Sequence, residues 1–133
     1  KCIHCGLAYI RLSGYKHTME QTIRLCKALT APIRLRILAL LDEGELCVCA
    51  LVEVLAVPQS TVSRHLAVLK NADWVVERRR GVWMYYRLAA AGPPLLEALR
   101  RDILAHLAGQ EDVKRDRERL TRYHAEKGQK ACG

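Results

Sequence analysis

Cys47 and Cys49 stand two residues apart in the run Glu45-Leu46-Cys47-Val48-Cys49. Thiolates are soft donors, and a pair of them suits a soft metal or metalloid ion better than a hard cation. The pair opens a short apolar segment that reads as the first helix of a DNA-reading unit, so a ligand bound here would disturb the reader. Cys47 falls near a predicted helix N-terminus, where the helix dipole favours the thiolate form. On a regular helix, residues two apart point to nearly opposite sides. Both sulfurs then reach one ion only if the first turn distorts, which suggests that ligand binding unwinds the start of this helix and moves the reading helix packed on it. The competing reading is a pair of small buried fillers, a common use of free cysteine.

A second group of residues suits a polyanion. Gln59, Ser60, Thr61, Ser63, Arg64 and His65 cluster at the start of a segment whose apolar positions, Val62, Leu66 and Leu69, repeat at helical spacing. A helix apolar on one face and short-chained polar on the other can enter a major groove, where Gln and Arg pair bidentately with base edges. Arg78, Arg79 and Arg80 precede Gly81 at a predicted hairpin tip, placed to lie on phosphate backbone or minor groove. A solvated turn is the plainer reading of the arginine run, and a structural role the plainer reading of His65.

The elements that must hold these residues follow from periodicity and breakers. Ile23, Leu25, Cys26 and Leu29 make a first helical stripe, which places Cys26 in the core. Thr30-Ala31-Pro32 restarts the chain, with Thr30 able to cap and Pro32 tolerated in a first turn. The next helix runs to about Leu41 and ends at Asp42-Glu43-Gly44. A short helix spans about Cys47 to Leu55, Val57-Pro58-Gln59 makes a turn, and Ser60 caps the reading helix, which reaches about Ala72. Trp74–Arg80 and Val82–Leu88 form a β-hairpin about Gly81. Gly92-Pro93-Pro94 is a boundary before a helix carrying Leu95, Leu96, Leu99, Ile103, Leu104 and Leu107, which Gly109 ends. Residues 110–127 are charge-dense and read as a solvated helix or a disordered tail. The division is an N-terminal extension (1–18), a DNA-binding and dimerisation domain (19–109) and a charged C-terminal tail (110–133). The fold class is mainly α with a small β-hairpin, a winged helix-turn-helix.

Bulk properties agree. The 133 residues fit one domain, and half of them are apolar. No run is long and apolar enough for a membrane span, and no leader is evident, so a cytoplasmic protein without a membrane partner is expected. The formal charge of +8 is uneven: residues 1–37 carry +6, residues 38–58 carry −4 and residues 59–87 carry +4. An anionic polymer is a natural partner for the basic segments. Six cysteines without an export signal argue against a disulfide scaffold. No acid/base pair lies near either cysteine motif (the other is Cys2-Ile3-His4-Cys5), so no enzyme is expected.

Four segments together carry a specific resemblance. Leu29-Thr30-Ala31-Pro32-Ile33-Arg34-Leu35-Arg36-Ile37-Leu38, Glu45-Leu46-Cys47-Val48-Cys49, Gln59-Ser60-Thr61-Val62-Ser63-Arg64-His65-Leu66 and Gly81-Val82-Trp83-Met84-Tyr85-Tyr86-Arg87-Leu88 resemble the ArsR/SmtB family of metal-sensing repressors, its arsenic-responsive branch above all. The likeness covers about residues 20–107. It implies a homodimer joined through the first and last core helices, which binds double-stranded operator DNA at an inverted repeat and releases it on binding inducer. As(III) or Sb(III) is the implied inducer at Cys47 and Cys49. Cd(II), Pb(II) or Zn(II) sensing and thiol oxidation are the alternatives. Two departures matter. The family's further cysteine, three positions after the second, is Val52 here, so a third ligand would come from Cys132, Cys26, Cys2 or Cys5. The family's other metal site, on the last core helix, is matched only by Asp102 and His106 at the wrong spacing, and His106 reads as structural.

Residues 1–18 lack pattern, and Met19 stands just before the domain, so native translation starting at Met19 is one expectation. Codons for Tyr9-Ile10-Arg11-Leu12-Ser13-Gly14-Tyr15-Lys16 can be chosen to contain TATATCCG and then its reverse complement CGGATATA. On that reading the stretch is translated operator DNA, and Cys2 and Cys5 are bystanders.

Overall fold

The computed structural model describes residues 18–128. Helix α1 (Met19–Lys27) starts from a capping box: Gln21 donates its amide N–H to Thr18 Oγ1 at 3.2 Å, while Thr18 N–H donates to Gln21 Oε1 at 2.8 Å. The helix signal thus includes Thr18, one residue before the expected domain start. Leu25 and Ala28 are buried, and the Trp74 indole N–H donates to the Leu25 carbonyl at 3.1 Å. Met19, Ile23 and Cys26 lie on the exposed face at i, i+4 and i+7. Cys26 is therefore not the core residue expected from the stripe, because the inward positions are Leu25 and Ala28.

Helix α2 (Pro32–Leu41) is capped by Ala31 and begins with proline in its first turn. Thr30 does not cap it; its hydroxyl instead donates back to the Lys27 carbonyl at 2.8 Å. Ile37, Leu38, Leu40 and Leu41 enter the core, and α2 packs against the expected reading helix, the second strand of the β-hairpin and the two helices that follow the hairpin. Strand β1 (Leu46–Cys47) and helix α3 (Val48–Leu55) follow, then helix α4 (Gln59–Asn71). Between the two helices Ala56 is left-handed (φ 55°, ψ 44°), which turns the chain sharply enough for α4 to cross α3. The residue N-capping α4 is Pro58 rather than the expected Ser60, which sits one position inside the helix.

Strands β2 (Val75–Arg80) and β3 (Trp83–Leu88) pair antiparallel about Gly81, whose φ of +59° is the positive value a tight hairpin loop requires. The sheet has three strands rather than the two of the expected hairpin. β1 pairs with the other edge of β3, giving the order β1-β3-β2, with Leu46 opposite Tyr86 and Cys47 opposite Tyr85. A two-residue strand is too short to show alternation, which hid it in the sequence.

Helix α5 (Pro94–Leu107) turns Leu96, Leu104 and Leu107 inward and leaves Leu95, Leu99 and Ile103 half-buried. Helix α6 (Glu111–Lys127) is neither a disordered tail nor a solvated helix. It buries Val113, Asp116, Leu120 and Tyr123 against α2 and α3. The pattern was obscured because one of its four inward positions is an aspartate. Asp116 is 1% exposed and takes both arms of Arg36, at 2.6 and 2.7 Å. A buried carboxylate needs such a partner, and the bidentate guanidinium supplies it.

Candidate thiolate site and nucleic-acid interface

Cys47 sits at the helix boundary. It is the N-cap of α3, in extended conformation (φ −77°, ψ 158°), and its Sγ accepts the Ala50 N–H at 3.4 Å. Cys49 is the second residue of that helix, within its first turn. The Cα atoms are 5.3 Å apart and the two sulfurs are joined in a disulfide. The expectation that the helix must unwind to bring the sulfurs together is therefore corrected. The geometry of residues two apart on a helix does not apply, because Cys47 is outside the helix and its Cα–Cβ vector is free to turn toward Cys49. Cys47 is buried and Cys49 half-buried.

The tyrosine of α6 completes the wall. Tyr123 is buried and its hydroxyl donates to Cys49 Sγ at 3.7 Å. Burial raises the Tyr123 pKa, so the group is a neutral donor at physiological pH. Arg119 donates to the Val54 carbonyl at 3.3 Å, and Lys127 pairs with Glu53. Three side chains of α6 thus grip α3 along the helix that carries the thiols. Sequence reasoning missed Tyr123. The signal available was its place in the Val113, Asp116, Leu120, Tyr123 spacing.

No group of three His, Cys, Asp or Glu side chains suited to a metal ion occurs among the described residues. Once reduced, two thiols at this place would suit a thiophilic ion, but a third sulfur is not beside them among those residues. Cys26 is exposed on α1. Cys2, Cys5, Cys132 and the segment read as translated operator lie outside the described residues. On α5, Asp102 pairs with Arg101 and His106 faces Gln110.

The reading surface divides in a way the sequence did not show. Gln59, Ser60, Ser63 and Arg64 are exposed on the first turns of α4, while Thr61 and His65 are half-buried. His65 Nδ1 lies 3.2 Å from Arg34 Nη1, and since a guanidinium only donates, Nδ1 is the acceptor and Nε2 carries the proton. Burial first, then the charges of Arg34 and Arg64, hold the His65 pKa below its ordinary value. Arg34 also donates to the carbonyls of Ala28 (2.6 Å) and Lys27 (3.1 Å), closing the C-terminus of α1. It ties the first helix to the reader through His65, a link invisible at a sequence separation of 31 residues.

In the wing, Arg78 and Arg80 share a face and stack over Tyr85 at 6.0 and 5.4 Å. Arg78 is ion-paired with Glu45, its Nε 3.1 Å from Glu45 Oε2. Arg79 points to the other face and is exposed. Val82 and Trp83 are exposed at the tip. Glu77 receives Lys70 and, at 3.0 Å, the Tyr86 hydroxyl, which locks the wing onto α4. The Tyr86 pKa is pushed up to about 12, by burial first and then by that hydrogen bond.

Comparison with known proteins agrees with this architecture. Residues 31–75 match the profile of the bacterial regulatory proteins of the arsR family. The chain is 42% identical over 78 residues to the arsenic resistance transcriptional regulator ArsR1 of Pseudomonas putida, covering 59% of each chain. It is 44% identical over 68 residues to an HTH-type transcriptional regulator of Methanocaldococcus jannaschii, covering 50% of this chain and 76% of that one. Among solved structures, a homodimeric winged helix-turn-helix DNA-binding domain from Mycobacterium bovis, a possible ArsR-family regulator, superimposes with a TM-score of 0.57 at 33% identity. That match covers 72% of this chain and 84% of the other. The chain belongs to the ArsR family of winged helix-turn-helix transcriptional regulators, a family of DNA-binding proteins rather than enzymes. It spans 59% of the length of the Pseudomonas regulator. No helix of the described residues is long and apolar enough to cross a membrane.

Proposed function

We infer that this chain is a homodimeric transcriptional repressor that holds an inverted-repeat operator through α4 and the wing and releases it when As(III) or Sb(III) binds Cys47 and Cys49. One observation carries the reading: the two sulfurs converge at the N-cap of α3, the helix packed directly against the reader. The arsenic resistance regulator among its relatives supports the choice of inducer. Gln59, Ser60, Ser63 and Arg64 are assigned to base edges and nearby phosphates, with Thr61 at their inner margin. Arg79 and Arg80 are assigned to the backbone beside the wing. His65 is assigned to the Arg34 contact instead of a base.

A second reading rests on the disulfide itself. The same two thiols can give up two protons and two electrons to an oxidant such as a peroxide and form the bond seen here. Cd(II), Pb(II) or Zn(II) sensing would use the same donors.

Release of a duplex selected by the protein from a random pool is measured against As(III), Sb(III), Cd(II), Pb(II), Zn(II) and peroxide. Release by As(III) at lower concentration than by the others supports the first reading; release by peroxide alone replaces it with the second. Deleting residues 1–17, which leaves the Thr18 cap, tests Cys2 and Cys5. An unchanged arsenite response makes them bystanders.

A further inference from the structure

The thiol pair and the wing share one row of the sheet. Cys47 is opposite Tyr85 in the β1–β3 register, and Tyr85 is opposite Arg78 in the β3–β2 register. Directly opposed residues point to the same face. Glu45, two positions before Cys47, reaches across that row to take the Arg78 guanidinium. Arg78 is a wing cation whose charge is neutralised by the residue next to the sensor strand, in a structure whose two sulfurs are held together.

We propose that Glu45 is a positioning residue that couples the thiol site to the wing. When Cys47 and Cys49 are drawn together, β1 is fixed against β3, and Glu45 holds Arg78 back from DNA. When the thiols are separate, β1 relaxes and Arg78 is exchanged from Glu45 to a phosphate. Both side chains are partly exposed, 54% for Arg78 and 24% for Glu45, so the pair is weak enough to be exchanged in this way. The signal thereby reaches DNA through the wing, alongside any movement of α4. This rests on the functional reading above for the identity of the ligand, but not for the two states of the thiols.

The test compares wild type, Glu45→Gln, Arg78→Gln and the double variant on random-sequence duplex DNA over a salt series. Each is measured as the reduced dithiol, as the dithiol with sodium arsenite, and as the disulfide made with diamide. Arsenite uptake is followed separately by thiolate absorption. For wild type, joining the sulfurs lowers the salt slope by about one unit, the value of one phosphate contact. Glu45→Gln keeps the high slope in all forms, Arg78→Gln keeps the low slope in all forms, and the double variant matches Arg78→Gln. A Glu45→Gln protein that still loses one unit of slope when its sulfurs are joined overturns the proposal, as does a double variant that keeps the high slope of Glu45→Gln in the joined forms. If arsenite binds wild type and neither changes its slope nor releases the selected duplex while the disulfide does change the slope, the arsenite reading fails and the Glu45 link stands.

Discussion

Tyr123 of α6 donates its hydroxyl to Cys49 Sγ, so the helix furthest along the chain forms part of the wall around the thiol pair. With the disulfide reduced, the same hydroxyl is placed to donate to the Cys49 sulfur that would take up arsenite. Tyr123→Phe should leave DNA affinity unchanged and weaken arsenite binding by about 1 kcal/mol, the value of one such bond. Titration of thiolate absorption at neutral pH measures this, and an unchanged midpoint would remove Tyr123 from the site.

Cys47→Ser and Cys49→Ser should each keep DNA binding and lose the arsenite response. Cys47 caps α3 through Sγ. A serine hydroxyl is a good N-cap acceptor, so the helix start survives the change while the soft donor is lost. Circular dichroism and operator release separate the two effects; release by arsenite at wild-type concentration in both variants would show that the inducer binds elsewhere.

Asp116→Ala should cost about 3 kcal/mol of stability. It leaves Arg36 without its buried partner, although Arg36 keeps 27% of its side-chain surface exposed and so retains some access to water. Urea unfolding reads the loss. Replacing both residues with Leu and Met should restore much of it, because the desolvation of both charges is then avoided.

Arg64→Ala should weaken binding to a selected site by about 1–3 kcal/mol, with little effect on random DNA. Arg79→Ala should weaken both alike and flatten the salt slope by about one unit. An equal loss on both DNAs for Arg64 would move it from bases to phosphate.

His65 sets a pH dependence of defined sign. Its folded pKa lies below the ordinary 6.5. Between those values the unfolded chain binds more protons, so stability is full above about 6.5 and declines as pH falls through the folded pKa. His65→Asn keeps an acceptor for Arg34 without titrating. Thermal unfolding between neutral and mildly acidic pH should show a steeper decline for wild type than for this variant.

Much of the fold was legible because its signals are local. Helical stripes, Pro32, Gly81 and the Pro58 turn each mark an element within a few residues. The exposed positions of Gln59, Ser60, Ser63 and Arg64 on the first turns of α4 were legible in the same way. What escaped was long-range or too short. β1 has two residues; Arg34 meets His65, and Arg36 meets Asp116, across separations of 31 and 80 residues. The α1 stripe misplaced Cys26 because apolar residues at helical spacing do not by themselves say which face is buried. Met19 and Ile23 are exposed on that same outer face. α6 was misread because its charge density hid an inward carboxylate.

The position of α6 has a consequence for the order in which the protein is built. The reader and wing end at Leu88, while the helix that walls the thiols begins at Glu111. Chains fold from the N-terminus during synthesis, at about 5–20 residues per second. A newly made chain therefore presents its DNA-reading half before Tyr123 has emerged to meet Cys49, and for that interval the cysteines stand without their cover.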